Sequence, residues 1–193
     1  QRFYHRVPSD LRPYFESLEE SRFFRSDFFK GDPEWIGSTY LTKDFSLGSV
    51  SISDMFNQRR PILAYWGTKD APAALHVRLL HDEYDFSSAF LHSRQSKGSI
   101  LAAVNFATDG GDTNPALDPV IDGTIRASSI KLRFEFTGKV PNSLPPVPAS
   151  LDETLNIQAG NQQIRIAVPI AKWNGENGFW RKVVSDRTNS YDV

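Results

Sequence analysis

The chain has no cysteine, which excludes disulfides and thiolate metal sites outright. It has no apolar run near the ~20 residues of a membrane span, so no spanning helix is expected. A basic excess is also missing: 22 Lys and Arg stand against 23 Asp and Glu, for a formal net charge of −1. No global field therefore draws it to nucleic acid. There is no glycine-rich phosphate loop, since "GTKDAP" (67–72) lacks the required spacing, and no G-x-S-x-G elbow. No nucleotide or other cofactor is expected. The lack of cysteine leans toward the periplasm or the exterior of a bacterium, so the expected address is periplasmic or secreted.

What is present is the vocabulary of β structure in an ordinary soluble composition, 39% hydrophobic and 23% charged over 193 residues. That length supports one good core. The chain begins at Gln1 and closes on "RKVVSDRTNSYDV", which reads as strand, turn and strand onset; a processed protein or a piece of a longer one is expected. Residues 9–25, "SDLRPYFESLEESRFFR", predict the one helix. Ser9 or Asp10 caps it, Pro13 suits a first turn, and Phe15, Leu18, Phe23 and Phe24 form an apolar stripe. This divides the chain into an N-terminal helical extension, 1–34, and a β domain, 35–193.

Strand-like runs follow one another after that. "IGSTYLTKD", "FSLGSVSIS", "PILAYWG", "ALHVRLLHDEYDF" and "SAFLHSRQ" lead to "SKGS", a hairpin turn into "ILAAVNFATD". The clearest alternation is "IKLRFEF" (130–136), apolar on one side and charged on the other, as a half-buried antiparallel strand requires. "TLNIQAGNQQIRIAVPI" repeats it around a Gly160-Asn161 turn. Ile130, Leu132, Phe134, Leu155, Ile157, Ile164, Ile166 and Val168 are expected in one core. The proline-rich "PNSLPPVPASLD" (141–152) reads as a surface connection. Roughly ten strands at about 8–12-residue spacing, with no βα rhythm, predict an all-β, two-sheet antiparallel sandwich of jelly-roll type; a closed barrel is the rival.

The segment "FATDGGDTNP" (106–115) places Asp109, Asp112 and Asn114, with Asp118 beyond, as hard oxygen donors. Their spacing fits no established calcium loop. Asp, Gly and Asn are also ordinary turn residues, so a surface turn without metal is expected, with carbohydrate contact and calcium as the alternatives. His76, His81 and His92 fall on adjacent predicted strands. His81 stands beside Asp82, Glu83, Tyr84 and Asp85, a grouping suited to proton transfer or to a structural hydrogen bond. His92, in an apolar strand, is expected to be buried. Arg59 and Arg60 before a strand can clamp a carboxylate or sulfate bidentately, or simply solvate a strand end. Trp66 reads as core. Trp173 and Trp180 flank "NGENGF" and are the tryptophans best placed for exposure and for stacking on sugar rings. The candidate carbohydrate-binding residues are thus Arg59, Arg60, His81, Trp173 and Trp180; no residue is assigned as catalytic.

The stretches "YLTKDFSLGSVS…QRRPILAYWG" (40–67) and "HDEYDFSSAFLHSRQSKGSILAAVNFATDGGDTNPALD" (81–118) resemble the C-terminal β-sandwich of bacterial heparinase II/III-like proteins. Members pair an α/α toroid with that sandwich, and the characterised ones are polysaccharide lyases. The toroid, which holds most of the lyase chemistry, is absent here, and no residue maps onto its Tyr/His pair. The resemblance implies an acidic polysaccharide as partner, an adjacent helical domain, and a chain that is not active alone. A free-standing carbohydrate-binding module and an enzyme using the His81 region are the alternatives. Exposure separates them: a module needs solvent-facing aromatics, an enzyme needs converging titratable groups, and a support domain needs a docking patch.

Overall fold

The computed structural model describes residues 8–9, 20–29, 35–55, 60–86, 89–105, 120–121, 124–125, 129–139, 144–173, 175–185 and 188–193. Among these the chain is all-β and antiparallel, without a helix. The first half supplies β1 (Arg22–Phe29), β2 (Trp35–Leu41), β3 (Phe45–Val50), β4 (Ile52–Asp54), β5 (Ile62–Thr68), β6 (Ala71–His81), β7 (Tyr84–Asp85), β8 (Phe90–Ser96) and β9 (Ser99–Asn105). The second half supplies β10 (Val120–Ile121), β11 (Thr124–Ile125), β12 (Ile130–Gly138), β13 (Leu155–Ala159), β14 (Gln162–Ile166), β15 (Lys172–Trp173), β16 (Glu176–Asn177), β17 (Arg181–Val184) and β18 (Asn189–Asp192).

A nine-stranded sheet runs β1-β2-β3-β5-β6-β12-β18-β17, with β7 added to β6. A three-stranded sheet, β4-β8-β9, and the hairpins β10–β11, β13–β14 and β15–β16 complete the pairing. The expected helix over 9–25 is corrected at its end: Arg22–Arg25 belongs to β1, which pairs with β2 across the expected boundary at 34/35. Phe23 and Phe24, read as one helical stripe, therefore point to opposite faces of a sheet. The rest of that helix, 10–19, lies outside the described residues, as does the loop 106–119 with its aspartates.

The alternation in β12 does what its pattern requires. Phe134 and Phe136 are buried, 8% and 0% exposed, and pack with Leu75 and Val77 of β6 and Tyr191 of β18. Leu155, Ile157, Ile166 and Val168 of the β13–β14 region join the same cluster, with Leu132 and Ile164 packed against it. Ile130 sits instead against a neighbouring cluster of Met55, Leu79, Phe86, Ala89 and Leu91, which ties β6 to β8. Burying one such side chain is worth roughly 1.5–3 kcal/mol. Phe136 meets Trp66 and Tyr191 edge-on, with centroids 6.3 and 6.2 Å apart.

The turns also follow local chemistry. Ala159 pairs with Gln162 around Gly160-Asn161, with Gly160 at φ +62°, and Ser96 pairs with Ser99 around Lys97-Gly98. Gly138, at φ +81°, closes β12 where a Cβ would come within 2.2 Å of the Pro72 carbonyl oxygen, so only glycine fits there.

Candidate functional site

Two faces of the large sheet differ in chemistry. One carries an ion-pair network. Arg78 on β6 donates through Nε and Nη2 to both oxygens of Asp85, each at 2.9 Å, and through Nη1 to Glu135 at 2.8 Å. Its cross-strand neighbour Arg133 donates through Nε and Nη2 to Asp192, both at 2.7 Å, and reaches Glu83 at 3.1 Å. Lys131 also pairs with Glu83. The hydrogen bonds to Asp85 raise the pKa of Arg78, those to Asp192 raise that of Arg133, and the Lys131 contact holds Glu83 below the usual carboxylate value. The charge of each arginine is thus already met by two carboxylates of the chain itself.

The opposite face changes character across the strands. A direct cross-strand row runs Ile62 (β5), Ser49 (β3), Ser38 (β2), Arg25 (β1), and directly opposed residues share a face. Ile62 packs on the core, whereas Arg25 at the sheet edge is exposed. A packed interior would continue apolar to the edge; here it turns to hydroxyl and then to charge.

The small sheet faces this row with Ser93 and Gln95 of β8, both inward by alternation with exposed His92 and Arg94. Ser93 Oγ donates to the Val50 carbonyl at 2.5 Å, and Ser93 N–H donates to the Ser51 carbonyl at 2.7 Å. Ser49 Oγ donates to Gln95 Oε1 at 2.8 Å, while Gln95 Nε2 donates to the carbonyls of Leu47 and Lys97 at 2.9 Å each. Ser51 Oγ accepts from the Ile36 amide at 3.0 Å. The result is a cleft of about 310 Å³ between the sheets, bounded by these serines, Gln95 and Ile36, with Arg25 and Arg94 also lining it. That volume is at the lower end of small-molecule sites. Neither Arg25 nor Arg94 forms an ion pair among the described residues, unlike Arg78 and Arg133. Arg94 alternates with the inward Ser93 and Gln95, so its side chain leaves from the outer face of β8, and the uncommitted guanidinium on the cleft side is that of Arg25. A cleft with fixed hydroxyls and a guanidinium at its edge is suited to a hydroxyl-rich anion.

The residues expected from sequence do not gather here. Arg59 lies outside the described residues, and Arg60 is exposed at the entry to β5. Arg60 acts on His76, whose pKa lies below the usual 6.5 mainly through burial and then through that arginine. His81 is buried, 4% exposed, edge-on to Phe86 at 5.5 Å, with its Nδ1 3.7 Å from Asp82. His76 and His81 share β6 with odd spacing and so face opposite sides, and His92 belongs to the other sheet. His92 is exposed rather than buried, because its strand covers the core only with the alternate residues Leu91 and Ser93. Trp180, a candidate for exposure, is 7% exposed and lies 5.9 Å from Phe134; the apolar core claims it. Trp173 is half-buried on β15. No group of three His, Asp or Glu side chains converges for a metal among the described residues.

Sequence reading missed Arg25 because it stood in an expected helix. It missed the serines because hydroxyls at period two, as in "SVSIS", become a site only when register places them opposite Ser38 and Gln95. Comparison of the chain with protein-family models, with curated proteins and with solved structures finds no match.

Proposed function

We propose that this chain is a two-sheet, jelly-roll-like sandwich domain of a polysaccharide-processing protein of the heparinase II/III-like kind, periplasmic or secreted, which supports an adjacent helical domain and contacts acidic polysaccharide itself. The single observation that carries the reading is the serine-lined cleft with the guanidinium of Arg25 uncommitted at its edge. The layered packing supports the sandwich: the apolar face of β6 and β12 is covered by β13, β14 and their flanking residues.

The domain is read as non-catalytic. Abstraction of a uronate α-proton needs a base within hydrogen-bond reach of that carbon and donors on the carboxylate. His81 is buried against Phe86, and His76 faces the other side of the sheet. The test uses the pure chain with uronate-containing polysaccharides, following binding by calorimetry and product by the absorbance of the unsaturated uronate. Binding without turnover is expected. Turnover lost in His81→Ala would overturn the reading in favour of an enzyme.

A further inference from the structure

We infer that the cleft continues as a stacking subsite on β1, where one acidic sugar ring lies with its C–H face on Phe23 and its carboxylate or sulfate on Arg25; this rests on the polysaccharide reading above. Phe23 and Arg25 alternate on β1 and share a face, while Phe24 points the other way. Phe23 pairs directly with Tyr40 and Arg25 directly with Ser38, so an aromatic row and a polar row lie side by side. Along the strand they are separated by about 6.6 Å, twice the rise per residue.

Among the described residues, the cover over this face ends between β2 and β1. The tip of the β8–β9 hairpin, at Gly98, sits against Tyr40 and Phe45, since a Cβ there would be 3.7 and 3.6 Å from their rings. Tyr40 and Phe45 meet edge-on at 5.8 Å, and Tyr40 is half-buried. Beyond them Phe23 is 39% exposed and Arg25 is exposed.

Three chemistries therefore meet within two residues of strand: an aromatic face, hydroxyls and an unpaired guanidinium. The C–H groups of a sugar face carry partial positive charge and suit the negative face of an aromatic ring. An oxyanion on the same ring takes both donors of a guanidinium fork. A neutral sugar leaves Arg25 unpaired, and a bare anion leaves Phe23 in water. Only a ligand with both features uses both rows.

The experiment is calorimetric titration of the full chain with four probes: a uronate oligosaccharide, a sulfated oligosaccharide, a neutral glucan oligomer and an oligothymidylate. The structure calls for binding of an acidic sugar above the neutral one, with the first two probes deciding between carboxylate and sulfate. Phe23→Ala is expected to weaken it about fivefold, the scale of an aromatic contact. Arg25→Gln is expected to weaken it about tenfold or more and to erase the preference over the neutral glucan. Val184→Ala, at an exposed position of β17 on the opposite edge of the large sheet from β1, is expected to leave it unchanged. Phe23→Leu, which keeps apolar bulk and loses the flat face, serves if Phe23→Ala melts early. Acidic-sugar binding that is unchanged in Phe23→Leu and Arg25→Gln overturns the subsite while the polysaccharide reading stands. No binding of either acidic sugar, or binding of the oligothymidylate alone, overturns both.

Discussion

Replacing Gln95 by Ala tests whether an amide clamp holds the back wall of the cleft. The side chain donates to the carbonyls of Leu47 and Lys97 and accepts from Ser49 Oγ. Each such bond contributes about 1 kcal/mol net, and more when a buried partner is orphaned. The Lys97 carbonyl lies in an exposed turn, where water replaces the amide, so it adds little. The Leu47 carbonyl and the Ser49 hydroxyl remain, and Ser49 is only 6% exposed. Their loss amounts to about 2 kcal/mol, which for a chain of this size is roughly 4–8 °C in melting midpoint. Urea unfolding followed by tryptophan fluorescence reads it as a lower midpoint at constant slope, because the surface exposed on unfolding scarcely changes. Gln95→Glu sharpens the test. A carboxylate cannot donate to either carbonyl, so this variant is expected to be the weaker of the two at neutral pH. Facing two carbonyls raises its folded-state pKa above the unfolded value, so its deficit shrinks as pH falls through that raised value and the acid regains a donor. A Gln95→Ala protein with a wild-type urea midpoint refutes the clamp.

Asp192→Ala removes the carboxylate that holds Arg133 bidentately, leaving only Glu83, whose side chain is 59% exposed; a loss of about 3 kcal/mol is expected in urea unfolding. The sign is checked by Arg133→Leu/Asp192→Leu, which removes both charges and is expected to recover much of that loss. His76 has a folded-state pKa below 6.5, so the unfolded chain binds the extra proton first and stability falls as pH drops through 6.5, levelling out below the folded value. His76→Gln is expected to flatten that stretch of the stability–pH curve, and an unchanged slope would remove His76 as its source.

Legibility in the sequence followed how local the determinant was. β12 was readable because Ile130, Leu132, Phe134 and Phe136 alternate strictly with Lys131, Arg133 and Glu135, and each partner strand has only to match that period. The Gly160-Asn161 and Lys97-Gly98 turns were readable because two-residue hairpins demand such residues. β1 was misread because "SRFFR" is too short for periodicity to separate strand from helix, and its pairing with β2 decided the matter. The cleft was not readable at all. It depends on Arg25, Ser38 and Ser49 aligning across three strands and on Gln95 reaching in from a second sheet, 46 residues from Ser49. Trp180 shows the same limit from the other side: a glycine-flanked loop suggests exposure, yet Phe134, far away in sequence, buries it.

The pairing of β6 with β12 also sets an order of events during synthesis. β1, β2, β3, β5 and β6 meet successive neighbours within the first half of the chain, apart from the small β4 excursion. β6 then has one edge waiting for Ile130–Gly138, and β12 in turn waits for β18, whose end is tied by paired backbone hydrogen bonds between Val193 and Leu132. Until β12 emerges, Leu75, Val77 and Leu79 lie beside an open sheet edge, the arrangement most prone to recruit a foreign strand. Contacts this distant in sequence also slow closure of the sheet. A chain growing from the ribosome would therefore hold a half-built sheet with apolar β6 as its temporary border until β12 arrives, an interval of open edge that the finished pairing closes.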